Sequence, residues 1–143
     1  MHQQENEIAM ALKFVLYNTD KPVGPKCANA PEDVLLVRFF LKRYGQVPGI
    51  GDPITAALPI VPGYDDALGI AIKKFQEHVR SLGKKVTVDG VVSPADLDDG
   101  FYTIKYLNAT YFKRYPQFNH DLRTDPQCPS PLKEKFSHVV FFV

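Results

Sequence analysis

The spacing of apolar residues along this chain predicts helices through its middle and short strands at its ends. From Ala9 to Asn18, Met10, Leu12, Phe14 and Leu16 recur at every second position with Lys13 and Tyr17 on the other side, the period of a half-buried strand. Thr19 to Ala30 contains Pro22, Gly24 and Pro25 and is expected to be a loop. Asn29 then offers an N-cap oxygen, Pro31 fits a first helical turn, and Glu32 stands where a capping box needs an acid. A first helix is therefore expected from near Ala30 to Gly45, with Val34, Val37, Leu41 and Tyr44 as its core stripe. Leu35, Leu36 and Phe39 project from its other side, leaving a narrow polar strip around Arg38 and Lys42. Such a helix lies between two layers, and the terminal segments are expected to supply the second one, with a partner protein as the alternative.

Gln46 to Gly63 holds four prolines and three glycines and forms a long connector. After Asp65 and Asp66, the residues Leu68, Ile72, Phe75, Val79 and Leu82 repeat at helical spacing until Gly83. Val86 to Val92 is β-branched around an Asp89-Gly90 pair, the signature of a tight turn. Ser93-Pro94-Ala95-Asp96 supplies an N-cap, a first-turn proline and an acid, so a third helix is expected from Ala95 to about Tyr115. Leu97, Phe101, Ile104, Tyr111 and Tyr115 share one face of it with Asn108, which needs hydrogen-bond partners if buried. Tyr102 and Tyr106 project from the opposite side. Residues 116–131 are polar and Pro-rich, and Val139 to Val143 suits a strand that would pair with the opening one over the first helix.

Composition narrows the function classes. At 143 residues the chain fits one domain, and 45% hydrophobic with 23% charged residues excludes a wholly disordered or collagenous chain. A net charge of +1 argues against a sequence-independent grip on nucleic acid, which needs surplus cations. No apolar run approaches a membrane span, so no membrane insertion is expected. The first residues also lack a secretory pattern, which makes the chain cytoplasmic as synthesised, reaching a periplasm or cell wall only by a noncanonical route. Cys27 and Cys128 lie far apart and read first as free thiols, with a bridge left open. Neither belongs to a CxxC pair, so no metal is expected. Paired acids at Asp65-Asp66 and Asp98-Asp99 read as helix-dipole partners, and His78 as a structural histidine. His120, Asp121 and Cys128 share a Pro-rich stretch that offers no rigid third partner for a nucleophile. Neither a phosphate-cradling loop nor a zinc-hydrolase helix occurs, and no catalysis or cofactor is expected.

Three segments, in order, carry a resemblance. Asn29-Ala-Pro-Glu-Asp-Val-Leu-Leu-Val-Arg-Phe-Phe-Leu41, Ala71-Ile-Lys-Lys-Phe-Gln76 and Val88-Asp-Gly-Val-Val-Ser-Pro94 resemble the helix opening, the central Phe-Gln helix and the Asp-Gly turn of the peptidoglycan-binding-like domains. Arg38 stands where that family commonly has Gln, and Ser93 replaces a Gly. The resemblance implies a mainly α fold with a three-helix core, to which the sequence pattern adds short N- and C-terminal β-strands and long Pro-rich connectors. It divides the chain into a strand and loop over 1–28, a helical core over 29–115 and a tail over 116–143. It also implies a noncatalytic module for bacterial cell-wall peptidoglycan, with Arg38, Tyr64, Gln76 and Asp89 as groove residues. The outward Tyr102 and Tyr106 join them, because a tyrosine ring stacks on a sugar while its hydroxyl stays wet. The alternative is a protein-interaction or assembly module on the same fold, a phage or secretion-apparatus component, with self-association left open.

Overall fold

Pro31, with its fixed φ and no N–H to satisfy, opens the first helix of the computed structural model, α1 (Pro31–Gly45). The structure describes residues 16–96, 98 and 100–137. Of the strand expected over residues 9–18, the part up to residue 15 falls outside the described residues and residues 16–18 form no strand; the strand expected over 139–143 falls outside them altogether. Glu32 and Asp33 face the positive end of α1, and Lys42 and Arg43 its negative end. The expected capping box does not form. Asn29 adopts φ 50°, and its side chain instead closes the preceding loop by accepting from Gly24 N at 2.8 Å and donating to the carbonyls of Gly24 and Cys27. A side-chain amide that satisfies its own loop is not available to the helix.

The connector is not structureless. Asp52 accepts from Thr55 N at 2.8 Å and so caps a single-turn helix, α2 (Pro53–Ala56). Asp65 does the same for Leu68 N at the start of α3 (Asp66–Ser81), whose Leu68, Ile72, Phe75 and Val79 are buried as expected. Leu82, counted in that stripe from its spacing, lies past the helix end and is 62% exposed. The Asp89-Gly90 turn is present, with Gly90 at φ +74°, and Val92 after it makes an isolated antiparallel bridge with Val23.

The third long helix, α4 (Thr103–Arg114), begins well after the expected Ala95. Asn18 is the reason: its side-chain amide accepts from Ala95 N at 2.9 Å and donates to Ala95 O at 2.7 Å, the pairing a neighbouring strand would make. A backbone held in that way cannot turn into a helix. Phe101, expected on the core face, is consequently outside α4 and 59% exposed. The Pro-rich tail is also ordered, as two 3₁₀ turns (Pro116–Phe118 and Leu122–Thr124) and a short helix, α5 (Ser130–Lys135).

The described fold is mainly helical, without a sheet. Helix α1 runs through its centre, buried along both faces and touched by α2, α3, α4 and α5. Its second layer therefore comes from the chain itself, through Tyr17 and the tail, which pack on each other with the Tyr17 and Phe136 rings 4.9 Å apart. Two ionic ties fasten the tail. Asp125, fully buried, accepts from Arg43 Nε at 2.8 Å and Tyr111 Oη at 2.9 Å. Lys135 Nζ reaches the buried Asp33 at 3.3 Å and Asp20 at 3.1 Å. Asn108 is buried as its position on α4 implied, and finds its partners in Tyr17 N, Tyr17 O and Ile104 O.

Candidate functional site

Gln76 organises the surface where the resemblance would put a ligand groove. Projecting from α3 and fully buried, its Oε1 accepts from the N–H groups of Asp89 and Gly90, at 3.1 and 2.9 Å. Its Nε2 donates to Asp89 Oδ1, Val91 O and Thr103 Oγ1. One amide thus locks the turn against α3 and the start of α4. All its polar atoms are used inward.

Arg38 is likewise internal. It is 1% exposed, and its guanidinium donates to Gly63 O through Nε at 3.1 Å and Nη2 at 2.6 Å, donates to Pro59 O, and lies 3.2 Å from Asp65. It folds the end of the connector onto α1, and the expected polar strip on that helix is covered: Lys42 donates to the carbonyls of Ala56 and Leu58. Neither Arg38 nor Gln76 presents a free polar atom to a groove.

Tyr64 does line one. A cleft of about 400 Å³ runs between the Pro25 loop, the first two turns of α3 and the Gly90 turn, and is bounded by Tyr64, Asp66, Ile70 and Lys73. Two glycines shape its floor. A Cβ on Gly69 would meet Tyr64 Oη at 2.5 Å, and one on Gly90 would press on Lys73 Cε at 3.3 Å besides occupying a left-handed conformation. Ile70 stands 57% exposed, an apolar wall next to an aromatic ring, a carboxylate and an ammonium. Partial burial, together with Asp66 and the Cys27 thiol, raises the Tyr64 hydroxyl above its ordinary pKa, so it remains a neutral donor. Sequence reading missed Gly69, Ile70 and Lys73. The signal was there in the three- and four-residue spacing from Asp66 to Lys73 with a glycine inside the helix, which marks a close approach.

Asp89 and Tyr102 face a second, smaller cleft of about 180 Å³ with Phe101 and Thr103. Tyr102 Oη donates to Asp98 Oδ2 at 3.1 Å. Hydrogen bonds from Gly100 N and Tyr102 hold the Asp98 carboxyl below its ordinary pKa, while partial burial and Asp98 raise that of Tyr102. Tyr106 lies apart from both, its hydroxyl donating to Lys85 O at 2.9 Å. The structure therefore brings Asp89 and Tyr102 together, leaves Tyr64 in the neighbouring cleft, and separates Tyr106 from them.

The residues weighed for catalysis are dispersed into local roles. Asp121 is bound twice by Arg123, which holds its carboxyl below the ordinary range. Cys128 is a buried free thiol, pushed up to about 12 by desolvation, and Cys27 is a half-buried free thiol. His78 packs its ring 5.5 Å from that of Tyr44. Among the described residues, no group of three or more His, Cys, Asp or Glu side chains converges, and no helix is long and apolar enough to cross a membrane. Compared with family models, curated proteins and solved structures, the chain matches none of them.

Proposed function

We propose that this chain is a noncatalytic binding module with a peptidoglycan-binding-like arrangement of α1, α3 and α4, and that its ligand is bacterial cell-wall peptidoglycan held in the Tyr64 cleft. The observation that carries this reading is the composition of that cleft. An aromatic ring and an exposed isoleucine offer apolar faces for the C–H surface of a sugar, and Asp66 and Lys73 offer one acceptor and one donor at its rim. Peptidoglycan couples N-acetylated sugars to carboxylate-bearing peptides, so it uses both kinds of group. The cleft is also preorganised: Gln76 pins its Gly90 wall and Arg38 pins the connector that ends beside Tyr64. Preorganisation removes part of the ordering cost of binding.

The protein-assembly alternative loses the support it drew from an apolar helix needing a second layer, because the chain's own segments cover α1. Cosedimentation with purified insoluble sacculi tests the proposal. The intact protein should pellet with them, and a Tyr64→Ala, Lys73→Ala double variant should bind at least about tenfold more weakly. A protein left wholly in the supernatant, or a double variant that pellets as well as the parent, would overturn it.

A further inference from the structure

The opposite end of α3 carries a different surface. There residues of the last turn of α3 and of the C-terminal half of α4 line a cleft of about 160 Å³. Its floor is apolar, made by Ile50, Val79, Leu82 and Ala109, and Leu82 stands largely exposed at its mouth. Around that floor are three cations, Lys84, Lys113 and Arg114, and the His78 imidazole, and among the described residues no carboxylate lines the cleft.

The absence of an acid sets this surface apart. The Tyr64 cleft contains Asp66, the Tyr102 cleft Asp89, and the cleft at the start of α1 contains Asp20, Glu32 and Asp33. Arg38, Arg43, Lys74, Lys105, Arg123 and Lys135 each pair with a carboxylate of the chain. Among the described residues Lys84, Lys113 and Arg114 pair with none; other cations, Lys73 and Lys85 among them, are also without a carboxylate partner, but here three such cations line one cleft. Cations near helix C-termini offset the helix dipoles, and that accounts for Lys113 and Arg114 singly. It does not bring three cations and a 62% exposed leucine to the lining of one cleft.

We propose that this cleft docks an acidic peptide segment of a partner protein, one that inserts an apolar side chain over Val79 and Leu82 and sets flanking Asp or Glu residues against Lys84, Lys113 and Arg114. Charge complementarity selects the sign of the partner, and the apolar floor selects a peptide over a bare polyanion. The site is separate from the Tyr64 cleft, and its occupation does not depend on the peptidoglycan reading.

Fluorescence anisotropy with short labelled peptides tests it on the full chain. A peptide alternating Glu with Leu and Phe should bind, its Lys-for-Glu counterpart should not, and polyglutamate should bind at least about tenfold more weakly than the mixed peptide. A Lys113→Glu, Arg114→Glu variant should lose about tenfold or more in affinity for the mixed acidic peptide. A Leu82→Ser variant, altering an exposed residue beyond the helix, should also lose affinity while leaving the unfolding midpoint unchanged. Equal binding of the acidic and basic peptides, polyglutamate or an oligonucleotide binding as tightly as the mixed peptide, or charge-reversed protein binding like the parent would each overturn the proposal.

Discussion

The two ends of α3 differ in charge, and the difference comes from the helix before it comes from any ligand. At the N-terminal end Asp65 caps the helix and Asp66 occupies its first turn. At the C-terminal end stand His78, Arg80 and, just past the helix, Lys84. The dipole favours both sets, so helix stability alone polarises the surface. What distinguishes the clefts is the rest of their walls. The N-terminal cleft mixes one acid and one base around a tyrosine, whereas the C-terminal cleft receives Lys113 and Arg114 from α4 and, among the described residues, no acid. One helix can thus present a mixed polar groove and a purely basic one without any cost to its own folding.

The largest effect is expected where both clefts share a scaffold. Asp125→Ala strands the buried Arg43 guanidinium and the Tyr111 hydroxyl, and should lower stability by about 4 kcal/mol in chemical denaturation. It should weaken neither cleft preferentially, since Asp125 lines neither; a selective loss of one ligand would show that the tail communicates with that cleft alone. Gln76→Ala should cost about 3 kcal/mol, because the buried Gly90 N–H and its neighbours lose their partner. Here the comparison should break: sacculus binding should fail as the Gly90 wall loosens, while binding of the acidic peptide persists under conditions where the variant is folded. The smallest effect belongs to acid. The Arg123 hydrogen bonds keep Asp121 ionised in the folded protein below its ordinary pKa. This contribution is present above the unfolded carboxylate range, about pH 4, and is lost as pH falls through the folded value. The thermal midpoint of Asp121→Asn should therefore show a shallower fall than the parent as the pH is lowered below about 4.

Local chemistry was legible in the sequence and distant chemistry was not. The first long helix could be read from Pro31 and Gly45, and the second from Asp65 and its apolar repeat. Ser93 to Asp96 carries a sound start signal, yet the helix begins at Thr103 because Asn18, 77 positions before Ala95, takes the Ala95 backbone. The turns and short helix of the polar, Pro-rich tail were not legible because its anchor, Asp125, meets Arg43 across 82 positions. The Tyr64 cleft was half legible: Tyr64 was found through the resemblance, and Ile70 and Lys73 were hidden among ordinary exposed helix positions. The basic cleft was illegible, since Lys84, Lys113 and Arg114 each have a sufficient local reason and only the tertiary fold puts them together.

The Asn18 and Asn108 clasps have a consequence for the order in which the molecule is made. Tyr17 and Asn18 leave the ribosome before their backbone and side-chain partners, Asn108 and Ala95, which lie 91 and 77 positions further on. Until those residues emerge, the aromatic ring of Tyr17 has no place in the interior. Closing so long a loop is slow compared with winding α1 or α3. During synthesis the early segment is therefore a waiting guest, and a ribosome stall before Asn108 would leave α1 wound but half uncovered.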